Sequence, residues 1–130
     1  MERTQVYFKD GLNTLFGRAS KTGLDLRVFD SKFPGGSTYS ADLDKTQLTA
    51  LREDIGKVLR KELSEATVSG MEPFWFDENR YLLSFTRSKK LGHWGHLLAI
   101  IKDNNSKTYL KVDVNAQEFL GFIEKLIASK

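Results

Sequence analysis

Two stretches of this chain repeat apolar residues at helical spacing, and nearly everything outside them alternates as strands do. The first stretch carries Leu48, Leu51, Ile55, Val58 and Leu59, extended by Leu63, with Arg52, Glu53, Lys57 and Arg60 on the opposite face. Asp44 or Thr46 stands where an N-cap belongs. The second stretch carries Phe119, Phe122, Ile123, Leu126 and Ile127, with Asn115 as N-cap and Glu118 at the position of a capping-box acid. Each helix is preceded by four runs that read as strands: about 4–9, 12–19, 24–30 and 37–43 before the first, and about 73–77, 80–86, 95–102 and 107–114 before the second. Lys9-Asp10-Gly11 is a hairpin turn signal, because Asp-Gly tolerates the positive φ of a tight turn. Pro34-Gly35-Gly36, Asp77-Glu78-Asn79, the run from Ser88 to Trp94 and Asp103-Asn104-Asn105 separate the other strands.

The two halves therefore share one plan, and some letters agree as well. Thr38-Tyr39 matches Thr108-Tyr109 at an offset of 70, whereas Asp42-Leu43-Asp44 matches Asp113-Val114-Asn115 at 71. Leu48, Leu51 and Ile55 match Phe119, Phe122 and Leu126 at the same 71, so one residue inserted in the strand accounts for the step. A sheet with one apolar face needs a covering layer, and two such units can bury their helices together. The expectation is an α+β fold of two pseudo-repeated ββββα units, with antiparallel sheets and helices packed together. It forms a single domain over 1–130, with units 1–65 and 66–130 and a linker at 64–71. A chain of 130 residues with 40% hydrophobic residues has the length and apolar content for one such core.

The best-marked polar segment is Arg87-Ser88-Lys89-Lys90-Leu91-Gly92-His93-Trp94-Gly95-His96. Its candidate binding residues are Arg87, Lys89, Lys90, His93, Trp94 and His96. Cations beside an aromatic ring can meet phosphates while the ring stacks on a base, although a polar hairpin with a packed tryptophan has the same letters. His93 and His96 are the two histidines, but positions three apart on a strand face opposite ways, so no metal or other cofactor is expected. Phe74-Trp75-Phe76 reads as strand, contributing core or an interface anchor.

Catalytic signals are weak. Cysteine is absent, which removes disulfides, thiolate nucleophiles and Cys-based zinc sites. No nucleophile elbow or phosphate-binding loop motif occurs. The carboxylate pairs Asp42/Asp44 and Asp77/Glu78 fall at turns or a helix start, where capping and solubility explain them. The sequence is read as not encoding an enzyme. No eighteen-residue apolar run and no secretory pattern at the N-terminus occur, so no membrane partner and a cytoplasmic location are expected. Net charge is +3, divided between 11 Lys/Arg against 10 Asp/Glu in residues 1–65 and 9 against 7 in 66–130. That surplus is small for a dedicated nucleic-acid binder.

Trp75 with Glu78, the strand Tyr81-Leu82-Leu83-Ser84-Phe85, the run Leu91 to Ile101, Val112-Asp113-Val114 and the segment Leu120 to Ile127 together resemble WapI-type bacterial immunity proteins. The resemblance implies a small antitoxin of contact-dependent growth inhibition, whose partner is a cognate toxin protein. The repeated plan is also similar to Whirly and Pur-type domains, which implies single-stranded nucleic acid as the alternative partner. Immunity proteins against nucleases are commonly acidic, so this slightly basic chain implies a toxin surface that is acidic or mixed.

Overall fold

The computed structural model describes residues 4–31, 38–75, 78–88 and 95–128. Eight strands run in the order β1 (Gln5–Asp10), β2 (Asn13–Ala19), β3 (Gly23–Asp30) and β4 (Tyr39–Asp44), then β5 (Ala66–Pro73), β6 (Tyr81–Arg87), β7 (His96–Asp103) and β8 (Thr108–Asn115). Helix α1 (Lys45–Leu59) lies between β4 and β5, and α2 (Ala116–Ala128) follows β8. All strand pairs are antiparallel neighbours, giving one eight-stranded meander. The sheet curls until β8 approaches β1. Side chains bridge that seam: Asn13 Nδ2 donates to the Lys111 carbonyl at 3.2 Å, and the Asp113 amide donates to Asp10 Oδ2 at 3.0 Å.

Local chemistry explains the elements. In β1, Val6 and Phe8 are buried while Gln5 and Tyr7 are exposed; in β8, Leu110, Val112 and Val114 are buried between polar neighbours. This alternation sends one face of every strand inward. The first hairpin closes through Gly11 and Leu12, with Gly11 at φ 62, where a two-residue turn needs a positive value. Asp44 caps α1: its Oδ1 accepts from the Gln47 amide at 2.8 Å, and Gln47 Oε1 accepts from the Asp44 amide at 2.9 Å. Asn115 Oδ1 accepts from the Glu118 amide at 3.0 Å at the start of α2. Helix α1 ends with Lys61 in the left-handed region at φ 66, its amide donating to the Val58 carbonyl and the Glu62 amide to that of Lys57.

The core is continuous across the molecule. Phe119 of α2 meets Phe8 of β1 edge-on at 5.9 Å and stacks on Phe85 of β6 at 5.3 Å. A Cβ added at Gly17 of β2 would stand 3.2 Å from Leu24 Cδ1 and 3.3 Å from Val6 Cγ1, so the apolar neighbours pack closely over this backbone. Helix α1 lies against β3 and β4 but also against β5 and β6, and α2 against β1 and β3 but also against β7 and β8.

These facts overturn the expectation of two pseudo-repeated ββββα units with separate antiparallel sheets and helices packed together. The strands form one nearly closed barrel, because β4 pairs with β5 at Tyr39↔Pro73 and Ser40↔Glu72 and neither helix serves only its own half. The proposed equivalence of Tyr39 and Tyr109 fails on side-chain direction: Tyr39 is buried and Tyr109 points outward. A one-residue step in a strand moves a side chain to the other face, so that match was a coincidence of letters. The segment 64–71, expected as a linker, is largely β5, in which Ala66, Val68 and Met71 face inward. The strand expected at 73–77 is not formed by its described residues, since the ladder stops at Pro73 and Phe74 and Trp75 lie in a bend.

Candidate binding face

The outer side of β1–β3 carries a row of aromatic rings. The first hairpin sets Tyr7 opposite Phe16, and the second sets Phe16 opposite Arg27 and Thr14 opposite Phe29. Tyr7 and Phe16 lie 4.7 Å apart between centroids, and Phe16 and Phe29 6.3 Å. Tyr7 is 55% exposed, and Phe16 and Phe29 are half-buried. Outward positions of a one-sided sheet are ordinarily polar, so three rings in a row are a surface the fold itself does not require. Leu12, at the tip of the first hairpin, is also exposed.

Charge flanks this row. Arg18 Nη2 donates to Asp25 Oδ2 at 2.9 Å, and Arg27 Nε and Nη2 reach the same carboxylate at 3.2 and 3.0 Å. Asp25 is buried beneath the two guanidinium groups, which are themselves partly exposed. The pairs hold the arginine planes beside the rings, and their exposure keeps their contribution to stability small. Rings and guanidinium groups presented together form a surface suited to recognition, since rings bury large area with few lost rotamers and the Asp25 pairs already hold the two guanidinium groups.

The residues singled out from sequence lie elsewhere. Arg87 is exposed at the end of β6, and His96 opens β7, with the Ser88 amide donating to its carbonyl at 3.0 Å. His96 Nδ1 lies 3.0 Å from Asp113 Oδ2, so its ring is held against β8. Lys89, Lys90, His93 and Trp94 lie outside the described residues, as does Phe76 of the aromatic triplet. Phe74 is 61% exposed, and Trp75 packs edge-on against Tyr39 at 5.6 Å and Tyr81 at 6.2 Å. Among the described residues, no three His, Cys, Asp or Glu side chains gather as a metal site.

No family model, curated protein or solved structure matches the chain. The reading of its surface therefore rests on this chain's own chemistry.

Two polar networks away from the row stiffen the barrel. Glu65 Oε2 accepts from Ser84 Oγ at 2.7 Å and Lys102 Nζ at 3.1 Å, and these bonds hold its carboxyl below the usual range. Asp103 accepts from the amides of Asn105 and Lys107 and from Tyr109 Oη at 2.8 Å. The Lys107 amide is the main cause of its lowered pKa, and the Asp103 carboxylate in turn pushes the Tyr109 hydroxyl up to about 12. Both networks fix turns and strand positions, which is a structural role.

Tyr7, Phe16 and Phe29 were not among the residues that stood out in the sequence, although a signal was present. Leu15 and Phe16 are consecutive and apolar in a strand with one buried face, so one of them had to face out.

Proposed function

We propose that this chain is a non-enzymatic binding protein, an immunity protein that neutralises a cognate bacterial toxin by direct contact in the cytoplasm. The observation that carries the reading is the Tyr7–Phe16–Phe29 row flanked by Arg18 and Arg27, an aromatic and arginine composition typical of interface anchors. The resemblance of the second half to WapI-type immunity proteins points the same way. No helix among the described residues is long and apolar enough to cross a membrane.

The proposal requires a toxin gene beside this chain's own, and the test is co-expression with its product. The expected result is a one-to-one complex that survives gel filtration and is lost in a Tyr7→Ala/Phe16→Ala variant that still unfolds cooperatively. A toxin that runs apart from this chain, or an undiminished complex in that variant, would contradict the proposal.

A second reading has one observation of its own. Rings in a row on a sheet beside two arginines also suit stacking of single-stranded bases, as in Whirly or Pur-type domains. Asp25 neutralises part of that charge. This reading requires oligonucleotide binding that weakens steeply with salt, and weakens again when Phe16 is changed to Ala or Arg18 and Arg27 to Gln.

A further inference from the structure

The joint between β4 and β5, like the β8–β1 seam, is a weak point of the barrel wall. The strands pair at Tyr39↔Pro73 and Ser40↔Glu72, and then part, leaving Ala41, Asp42 and Leu43 with no partner on β5. Alternation along the ladder turns the amide and carbonyl of Asp42 toward this opening. A bulge between Ser69 and Met71 bends β5 away, and Gly70, at φ 76, has nothing within 4 Å of where a Cβ would stand. The result is a cleft of ≈ 550 Å³ on the outer side, walled by Asp25, Arg27, Asp42, Ser69, Gly70 and Glu72.

The charge in this cleft is uneven. Asp25 stands directly opposite Asp42 on the β3–β4 ladder, an unfavourable juxtaposition for like charges. Arg18 and Arg27 neutralise Asp25, while Asp42 and Glu72 are exposed and form no ion pair with any described residue. The cleft is also continuous with the aromatic row: one cross-strand line runs Tyr7↔Phe16↔Arg27↔Ser40↔Glu72. An open strand edge calls for an extended backbone, and uncompensated carboxylates beside it call for a cation.

We infer that the β4–β5 cleft receives an extended, basic segment of the partner protein. A lysine or arginine of that segment meets Asp42 and Glu72, and its backbone bonds to the free edge at Asp42. The inference rests on the binding-face reading and makes it more specific. The net charge of +3 implied an acidic or mixed partner surface, whereas the local field at this cleft selects a basic one.

The test is a titration of isotope-labelled protein with a short capped peptide of alternating lysine and threonine, followed by amide chemical shifts. The control peptide alternates glutamate and threonine. Saturable shifts at Asp42, Ser69 and Gly70 are expected with the lysine peptide alone. Asp42→Asn/Glu72→Gln should weaken that binding by about tenfold or more, because it removes the charges while keeping shape. Phe16→Ala, which should disrupt the toxin complex, is expected to cost peptide affinity less than the double variant does. Absent shifts, an equal response to the glutamate peptide, undiminished binding in the double variant, or an equal loss in Phe16→Ala would each overturn the inference. A toxin complex that persists under any of those outcomes leaves the aromatic-face reading standing by itself.

Discussion

Replacing Phe16 by alanine separates a ring kept for recognition from a ring kept for stability. Phe16 is half-buried, and its neighbours on the outer face are Tyr7 at 4.7 Å and Phe29 at 6.3 Å. Cross-strand aromatic pairs on an outer face contribute about 0.5–1 kcal/mol each, so losing both contacts should cost roughly 1–2 kcal/mol. Phe85, by contrast, has no exposed surface and stacks on Phe119 at 5.3 Å. Its truncation opens a cavity in the core and should cost about 3–5 kcal/mol. Urea unfolding of the two variants measures the difference, with unchanged m values required for a like-for-like comparison. In thermal unfolding the same difference appears as a midpoint drop of roughly 4–8 °C for Phe16→Ala and about 12–20 °C for Phe85→Ala. Binding should reverse the order: Phe16→Ala is expected to cost the proposed toxin complex about 2 kcal/mol or more, the scale of a central anchor. If Phe16→Ala destabilised the protein as much as Phe85→Ala, the row would be a structural buttress, and the argument from its exposure would fail.

Three further outcomes follow from the geometry. A Cβ on Gly23 would stand 2.3 Å from the Leu43 carbonyl oxygen, so Gly23→Ala must displace the start of β3 from β4 and should cost about 1–3 kcal/mol, read as a lower urea midpoint. Lys61 holds the left-handed position after α1 at φ 66, so Lys61→Gly should stabilise by about 1 kcal/mol, and a lower midpoint would contradict the assignment. The raised pKa of Tyr109 means that the folded protein keeps a proton the unfolded chain loses; its contribution is complete below pH 10.0 and disappears as pH rises toward about 12. The lowered pKa of Asp103 has the opposite sense, with its contribution present above 3.8 and lost as pH falls below it. Absorbance titration of the tyrosines should show a late step that Tyr109→Phe diminishes; an unchanged titration would place Tyr109 off Asp103.

Much of the secondary structure was legible because period-two alternation is a local signal. Strands β1–β4 and β6–β8 fall within a residue or two of where Val6 and Phe8, Leu24 and Leu26, or Leu110, Val112 and Val114 place them. The caps at Asp44 and Asn115 were equally visible. Strand β5 was not, because its inward residues are the small Ala66 and the moderate Val68 and Met71, while the dense rings of Phe74-Trp75-Phe76 drew the assignment downstream. How the sheet divides was not legible either. It depends on the pairing of Tyr39 with Pro73 across 34 positions, and nothing local distinguishes that joint from a gap between two sheets. The binding row lay within reach: a two-residue turn after Asp10 fixes Tyr7 opposite Phe16, so the register alone brings both rings to one face. The cleft was further off, since it exists only where β4 and β5 part.

The most direct test of the proposed immunity role is survival of cells that produce, together with this chain, a toxin encoded beside it. The native protein should protect them, Phe85→Leu should protect them in proportion to the folded protein present, and Phe16→Asp should fail to protect while remaining folded by circular dichroism. Full protection by Phe16→Asp, or none by the native chain, would contradict recognition through the outer face of β1–β3.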